Sequence, residues 1–220
     1  MKLTPFALIG SPERRAEACN RLGVAPDFQG DLPPAELNKY RLLIDLNLED
    51  HTSRFDRYRN QPDLVLVGAA VKCSLISLIE MHQEAPSCRV LGINSLPGFL
   101  DRDRWEISHI GETEKNLISQ LADFLGVACE PIQDRVGMIA PRVLFLLMNE
   151  AFLLEQEGSA TRHDIDVAMK LGTNYPFGPF EWAEKIGLKE VVATLEAMFA
   201  DTGDQRFVPV AGLRKAAFLR

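Results

Sequence analysis

The spacing of hydrophobic positions changes near residue 130. Before that point, short apolar runs alternate with amphipathic stretches, and the runs predict strands at 6–10, 40–48, 63–71, 88–94 and 104–111. Two amphipathic stretches predict helices, one beginning at Pro12, where a first-turn proline fits, and one over 112–126 that ends at Gly126. Strands separated by helices favour a mainly parallel sheet, because parallel strands need crossover connections.

Beyond "EPIQD" at 130–134 the strand pattern stops, and apolar residues recur at helical spacing. Thr161 and Asp164 have the spacing of a capping box at the start of one such helix. The pattern predicts helices over 138–157, 162–171, 178–186, 188–201 and 210–218. We therefore predict an α/β domain over residues 1–133, followed by an all-helical domain over 134–220.

Composition narrows the class of protein. The chain has 220 residues, of which 46% are hydrophobic and 25% charged, enough for a packed core in one or two domains. Its formal net charge of −7 does not indicate a binding surface for nucleic acid or for acidic membranes. The most apolar run, "VLFLLMNEAFLL" at 143–154, is interrupted by Asn149 and Glu150 and is too short to cross a bilayer.

The cysteines and the first residues bear on location. The four cysteines lie far apart and form no metal-binding spacing with histidine, at Cys19, Cys73, Cys88 and Cys129. Scattered thiols favour a reducing compartment. The opening "MKLTPFALIGSPERR" contains only a four-residue apolar run, which is too short for a signal peptide. We expect a cytoplasmic protein that binds no metal.

A turn dense in proline, glycine and aromatic residues, "KLGTNYPFGPFEWAEKIGL", occupies 170–188. Gly172 is expected to end one helix, and Pro179 stands where it can begin the next. Between them, Asn174 and Tyr175 precede Pro176, which keeps Tyr175 extended. Taken alone, this segment predicts a rigid connection between two helices.

The turn belongs to a longer pattern. The stretch "DRVGMIAPRVLFLLMNEAFLLEQEGSATRHDIDVAMKLGTNYPFGPFEWAEKIGL" and the tail "RFVPVAGLRK" closely resemble the C-terminal domain of the 3-hydroxyacyl-CoA dehydrogenases of fatty acid metabolism. The resemblance implies a shortened Rossmann-like sheet domain ahead of it and a homodimer formed through the helical domain. It also implies that Asn174 matches the family asparagine that contacts substrate and helps to orient the catalytic histidine.

The resemblance implies an NAD or NADP site in the first half, where a dinucleotide fold needs G-x-G-x-x-G after its first strand. This chain has "GSPERR" instead: Gly10 keeps the first glycine, Ser11 follows it, Pro12 replaces the second glycine and Arg15 the third. Pro12 removes a backbone N–H where pyrophosphate normally lies, so binding of either dinucleotide is doubtful. Arg14 and Arg15 are interpreted as a solvated basic helix face, with phosphate recruitment as the weaker alternative.

Other family features are shortened or altered. The acidic partner of the ribose has only two candidates, Asp27 and Asp31, with no clear strand leading to either. About ten residues separate "DFQG" from the next strand, so the CoA-contacting arm of the family is missing. The acidic positions of the family's next strand match Asp45 and Glu49. In the following loop, Ser74 matches the family serine, whereas Val71 stands at the family asparagine.

The catalytic base is the most consequential change. Asn94 stands at the position of the family histidine, and an amide has no titratable nitrogen. The acid that orients this histidine is retained as Glu106, and its partner is therefore expected to be missing. His109 is the first candidate for a replacement base, but an offset of three along a strand points it away from Glu106. His51 and His82 are expected in surface segments, and His163 is expected to be solvated in the first turn of a helix. Lys72 and Cys73 lie in a loop next to a strand end, and this placement alone is weak evidence for a function.

Two functions fit these substitutions. In the first, the protein is a non-catalytic or altered relative, a pseudoenzyme candidate that binds a ligand or partner. In the second, it is a working NAD(P)-dependent oxidoreductase acting on a 3-hydroxyacyl-CoA or a related hydroxy acid. Pro12, Arg15, Asn94 and the missing arm favour the first, whereas Ser74, Glu106 and Asn174 are consistent with the second.

Overall fold

The computed structural model describes residues 3–30 and 34–219 and divides into two compact units, Met1–Met138 and Ile139–Arg220. In the described part of the first unit, seven strands form one sheet, in the order β2-β1-β3-β4-β5-β6-β7. Their bounds are β1 Phe6–Ile9, β2 Phe28–Gln29, β3 Leu42–Asp45, β4 Val65–Ala69, β5 Arg89–Ile93, β6 Arg104–His109 and β7 Ala128–Gln133.

Every neighbouring pair of strands is parallel except β5 and β6, which run antiparallel. The predicted α/β fold with a mainly parallel sheet is therefore confirmed. The central strands β3 and β4 are buried along their whole length, as continuous apolar runs in a covered parallel sheet should be. Neither β2 nor β7 was predicted, because β2 has two residues and most of β7 is exposed around Pro131.

Short helices connect the strands of this unit. Helix α1 begins at Pro12 as predicted, and α4 ends at Gly126, which adopts the left-handed conformation at φ 69°. The helices are α1 Pro12–Cys19, α2 Phe55–Tyr58, α3 Leu75–Met81 and α4 Glu112–Leu125, with 3₁₀ turns at Pro34–Lys39, Leu48–Asp50 and Thr52–Arg54. Because α1 and α3 each start just after a parallel strand, their N-termini lie at the carboxyl edge of the sheet.

The second unit is helical throughout its described regular structure, as predicted. Its α-helices are α5 Ala140–Gln156, α6 Arg162–Thr173, α7 Pro179–Ile186, α8 Leu188–Thr202 and α9 Ala211–Phe218. Thr161 caps α6, because its side chain accepts a hydrogen bond from the Asp164 N–H. Within the described ranges, no helix combines the length and apolar character needed to traverse a bilayer.

Candidate functional site

The ends of β1, β3, β4 and β5 meet at one edge of the sheet, which we call the carboxyl edge. It comprises residues 10–15, 45–50, 70–76 and 94–95. In open parallel sheets, ligands bind at this edge, where backbone N–H groups and helix N-termini attract phosphate. The partners of its N–H groups therefore decide what the edge can bind.

At the N-terminus of α1 the chain supplies its own hydrogen-bond acceptors. The Ser11 N–H donates to Asn47 Oδ1 at 2.7 Å, and the Arg14 N–H donates to Ser11 Oγ at 3.3 Å. Pro12 has no N–H to offer. The Glu13 carboxylate accepts hydrogen bonds from its own backbone N–H and from Ser11, which lowers the pKa of Glu13 and keeps it anionic. A phosphate here would meet occupied donors and a negative charge.

Gly10 and Arg15 complete the predicted cofactor loop. Gly10 has φ 150°, and a Cβ on it would lie 2.9 Å from the Leu46 Cβ, so the close approach to β3 requires glycine. The half-buried Arg15 donates from Nε to the Gly10 carbonyl at 3.0 Å. The loop residues Gly10, Ser11, Pro12 and Arg15 are thus brought together, but they bind one another and β3.

Arg14 is not solvated, and the prediction of a solvated basic helix face is wrong at this position. The Arg14 guanidinium is buried, donates to the Leu46 carbonyl at 2.7 Å and pairs with Asp50 at 3.2 Å. The reason is geometric: the end of β3 presents a carbonyl and a carboxylate directly to α1. A helix periodicity alone does not reveal such acceptors.

The two candidates for a ribose-binding acid have different outcomes. Asp27 accepts a hydrogen bond from the Phe6 N–H at 2.8 Å and so fixes the start of β1. Strand β2 follows Asp27, so no strand leads to that candidate, as expected; β2 does run towards the position of Asp31. Asp27 precedes this strand and is therefore misplaced for the end of it. Asp31 lies outside the described residues.

The two acidic positions on and after β3 both face inward. Asp45 is fully buried, and the Tyr58 hydroxyl donates to it at 3.0 Å. Burial, followed by the Asp45 charge, raises the pKa of Tyr58 well above its usual range. The Glu49 side chain is also buried, and its Oε2 accepts hydrogen bonds from the Val71 and Lys72 N–H groups. Burial is the largest influence on Glu49 and raises its pKa.

The N-terminus of α3 is occupied in the same way. The carboxylate of Asp134 accepts from the Leu75 N–H at 2.8 Å and the Ile76 N–H at 3.0 Å. Ser74, which matches the family's loop serine, is the N-cap of α3: its Oγ accepts from the Ser77 N–H at 2.9 Å. Ser74 therefore has a local structural role at this site.

The structure brings Asn94 and Glu106 together. Asn94 Nδ2 donates to Glu106 Oε2 at 3.1 Å, and Asn94 Oδ1 accepts from the Leu96 N–H at 3.3 Å. Glu106 therefore lacks a histidine at this position, and the Asn94 amide occupies the place expected for that histidine. Asn94 is only 3% exposed, so its side chain is committed to these two contacts.

The four histidines lie in other surroundings: His109 and His82 have their own hydrogen-bond partners, and the remaining two are exposed. His109 is buried, its Nδ1 lies 3.0 Å from the Gly111 carbonyl, and β6 pairs with β7 in unbroken register, so Glu106 and His109 project to opposite faces. His51 and His163 are exposed as expected. His82 lies in an exposed segment as expected, although its side chain is only 9% exposed and its Nδ1 hydrogen-bonds Asp56 at 2.9 Å.

Cys73 is a poor nucleophile. Burial, reinforced by the neighbouring carboxylates Glu49 and Asp134, raises its pKa to about 12. Lys72 pairs with Asp50. Within residues 3–30 and 34–219, no three His, Cys, Asp or Glu side chains form a group that could hold a metal ion. The carboxyl edge therefore offers neither an activated thiol nor a described metal site.

The turn in the second unit is held by acidic residues that sequence reasoning missed. Buried Asp166 accepts from the Phe180 N–H at 2.9 Å, and a Cβ on Gly178 would overlap the Asp166 carboxylate. Glu181 accepts from the Gly178 N–H at 3.0 Å and pairs with Lys170. The sequence signal for this arrangement is the acid at the third position of "DID", Asp166, followed twelve residues later by "GP" at 178–179.

Asn174 ends helix α6. The helix continues past Gly172 to Thr173, so the prediction that Gly172 terminates it is wrong. Asn174 adopts the left-handed conformation, at φ 56° and ψ 34°, which asparagine tolerates better than most residues. Its side chain is exposed. The backbone of Asn174 thus has a capping role, and its amide is available to a ligand or partner.

Comparison with known proteins identifies the helical half. The model of the 3-hydroxyacyl-CoA dehydrogenase C-terminal domain matches residues 137–217. The 3-hydroxyadipyl-CoA dehydrogenase of Escherichia coli is 39% identical over 88 residues, which are 40% of this chain and 18% of that protein. The probable 3-hydroxybutyryl-CoA dehydrogenase of Bacillus subtilis is 36% identical over 98 residues, 44% of this chain and 34% of that protein.

These alignments span 18% and 34% of the two relatives' length, so they identify a domain and not the activity of the whole chain. The fold agrees over a longer range. The crystal structure of (S)-3-hydroxybutyryl-CoA dehydrogenase PaaH1 from Ralstonia eutropha superposes with a TM-score of 0.78 at 18% identity, covering 99% of this chain and 94% of that chain. Residues 137–217 are therefore similar to the C-terminal domain of the 3-hydroxyacyl-CoA dehydrogenases, and the whole described chain shares the fold of PaaH1.

Proposed function

We propose that the protein is a non-catalytic relative of the 3-hydroxyacyl-CoA dehydrogenases that binds a ligand or a partner and transfers no hydride. One observation carries this proposal: the N–H groups that a dinucleotide phosphate would need at the start of α1 are bound by Asn47, Ser11 and Glu13, and Pro12 has none. These residues do not fit NAD or NADP. A pyrophosphate would have to displace internal hydrogen bonds and approach a carboxylate.

The position of the family base supports the same proposal. The Asn94 amide holds Glu106 in place but has no lone pair of suitable basicity to take a proton from a hydroxyl group. The two changes are independent, since one affects cofactor binding and the other proton transfer. Restoring either alone should therefore leave the protein inactive.

Calorimetric titration with NADH, and separately with NADPH, tests the proposal, together with turnover of acetoacetyl-CoA on the same sample. We expect no binding and no turnover for the wild type. Asn94→His supplies a base without altering the cofactor loop, and we expect it to be equally inactive. Tight binding with turnover by the wild type would overturn the proposal in favour of a working NAD(P)-dependent oxidoreductase, with His109 as the first residue to test as base.

The ligand class that the resemblance favours is an acyl-CoA or a hydroxy acid. Asn174 supports this part of the proposal, because its exposed amide lies on a turn fixed by Asp166 and Glu181. Titration with acetoacetyl-CoA in the absence of cofactor measures such binding. Heat in the wild type that is lost in Asn174→Gly, which keeps the left-handed backbone, would support it, and equal heat in both proteins would contradict a role for the amide.

We also propose that the helical unit forms a homodimer. Ile139, which precedes α5, and Val143, in its first turn, are more than half exposed and lie four residues apart, so they share one helix face. Size-exclusion chromatography with light scattering should give a dimer at micromolar concentration, and Val143→Glu should dissociate it. Lys189→Glu changes the charge of an exposed residue on α8 and serves as the control. A wild-type monomer would contradict the proposal.

A further inference from the structure

The loop after β4 forms an oxyanion-binding arrangement that the chain fills with its own side chain. The Val71 and Lys72 N–H groups converge on Glu49 Oε2, the second of them at 2.7 Å. Two successive N–H groups that point to one oxygen form a nest of the kind that binds anions. We propose that this nest is a latent site for a carboxylate or phosphate oxygen, and that Glu49 is its autoinhibitory occupant.

The nest does not depend on Glu49 for its shape. The Val71 carbonyl accepts from the Gly137 N–H at 2.7 Å, and the Ala70 N–H donates to the Ile93 carbonyl at 3.3 Å. Just beyond the nest, Asp134 fixes the first N–H groups of α3. These contacts hold the loop from both sides, so its two N–H groups should keep their direction when the Glu49 side chain is removed.

Glu49 is an imperfect occupant. Its side chain is 1% exposed, yet Oε1 has no hydrogen-bond partner among the described residues. The nearest cation is Lys72 Nζ at 3.6 Å, and this ammonium also pairs with Asp50. A buried carboxylate with one oxygen unsatisfied is held at a cost in desolvation. A ligand oxyanion that brings its own hydrogen-bonding groups can therefore compete for the nest.

The charges around the nest prevent Glu49 and an incoming anion from binding there at the same time. Asp50 and Asp134 lie nearby and both influence Cys73, as does Glu49 itself. With Glu49 in place, an incoming anion would meet three carboxylates and one shared ammonium. With Glu49 withdrawn, the two N–H groups lose their acceptor, one carboxylate charge is removed, and Lys72 is left to attract the anion. The site is thus closed by the contact that occupies it, and its N–H donors are different from those of the cofactor loop at α1.

Chemical rescue of Glu49→Ala tests the proposal. This substitution leaves the N–H donors facing a cavity of the size of a carboxylate. The unfolding midpoint of the variant should rise with increasing formate or acetate, compared with chloride at equal ionic strength, because a ligand that binds only the folded state stabilises it. The apparent Kd for formate should be at least about tenfold lower than in the wild type, a difference that mass action makes easy to measure.

Glu49→Gln is the matched control. Its amide oxygen can still accept from both N–H groups, so formate should have no more effect on it than on the wild type. A parallel titration with inorganic phosphate separates the two ligand classes: rescue by formate and acetate alone assigns the nest to carboxylates, and rescue by phosphate assigns it to phosphoryl groups. Equal responses of the three proteins to every anion would overturn the proposal.

The test also covers a variant that does not fold without an anion. In that case formate or phosphate should restore the folded circular dichroism signal of Glu49→Ala, and chloride should not. Failure of both anions to restore the signal would count against a latent site. The result is distinguishable from that of the NADH titration, which uses the wild type and reports on the α1 loop.

Discussion

Asn94 and Glu106 are joined twice. The Asn94 side chain donates from Nδ2 to Glu106 Oε2 at 3.1 Å, and the Asn94 backbone N–H donates to the Glu106 carbonyl at 3.3 Å. The second bond continues the antiparallel pairing of β5 with β6. The position that the resemblance assigns to a base is therefore part of the sheet. An amide preserves this junction, and it has no proton-accepting nitrogen.

Asn94→Leu should destabilise the protein by about 1–3 kcal/mol, because it leaves the buried Leu96 N–H and one Glu106 oxygen without the amide. Asn94→His keeps a donor for Glu106 and should cost less. Urea denaturation of both variants measures the difference. If Asn94→Leu were as stable as the wild type, the two side-chain hydrogen bonds of Asn94 would not hold this junction.

The fold was predictable where burial alone determines the hydrophobic pattern of an element. The continuous apolar runs of β3 and β4 and the helical spacing of α5 to α8 follow directly from burial, so their approximate ranges could be predicted. Strand β7 was missed because its burial alternates poorly and it contains Pro131. Strand β2 was missed because two residues carry no periodicity.

The site was predictable only in part, since the roles of its residues depend on contacts between residues that are far apart in the sequence. The substitutions Pro12 and Asn94 were visible in the sequence. Their consequences were not, because Asn47 reaches Ser11 across 36 positions and Asp134 reaches Leu75 across 59. Sequence spacing gives no signal for such pairs.

Substitution of Gly178 tests whether Asp166 and its hydrogen bond to the Phe180 N–H hold the turn together. A Cβ at Gly178 would overlap the Asp166 carboxylate, which accepts from the Phe180 N–H. Gly178→Ala should therefore destabilise the protein by about 1–3 kcal/mol, the usual cost of overpacking. Gly172→Ala is the matched control: nothing lies near its Cβ position within helix α6, so it should stabilise by about 0.5–1 kcal/mol. Changes of the same sign would refute the assignment.

Two substitutions of Asn174 separate the contribution of its backbone conformation to stability from the contribution of its side chain. Because the residue is left-handed, Asn174→Ala should cost about 1 kcal/mol, whereas Asn174→Gly should leave stability unchanged or slightly raised. Thermal unfolding of both variants gives the comparison. An equal loss in the two would show that the amide side chain, and not the φ angle, is what stabilises the end of α6.

The raised pKa of Glu49 predicts that the stability of the protein depends on pH, with a sign that follows from burial of this residue. Its pKa is raised in the folded protein, so folding favours the protonated form. The associated stability is fully present below the unfolded pKa, near 4.3 to 4.5, and is lost as pH rises through the folded pKa. Glu49→Gln removes this titration while keeping an oxygen for the Val71 and Lys72 N–H groups. The free energy of unfolding of the variant, relative to that of the wild type, should therefore increase as pH rises from about 4 to 8. Urea denaturation at each pH measures this difference. A constant difference across that range would mean that Glu49 titrates alike in the folded and unfolded chains.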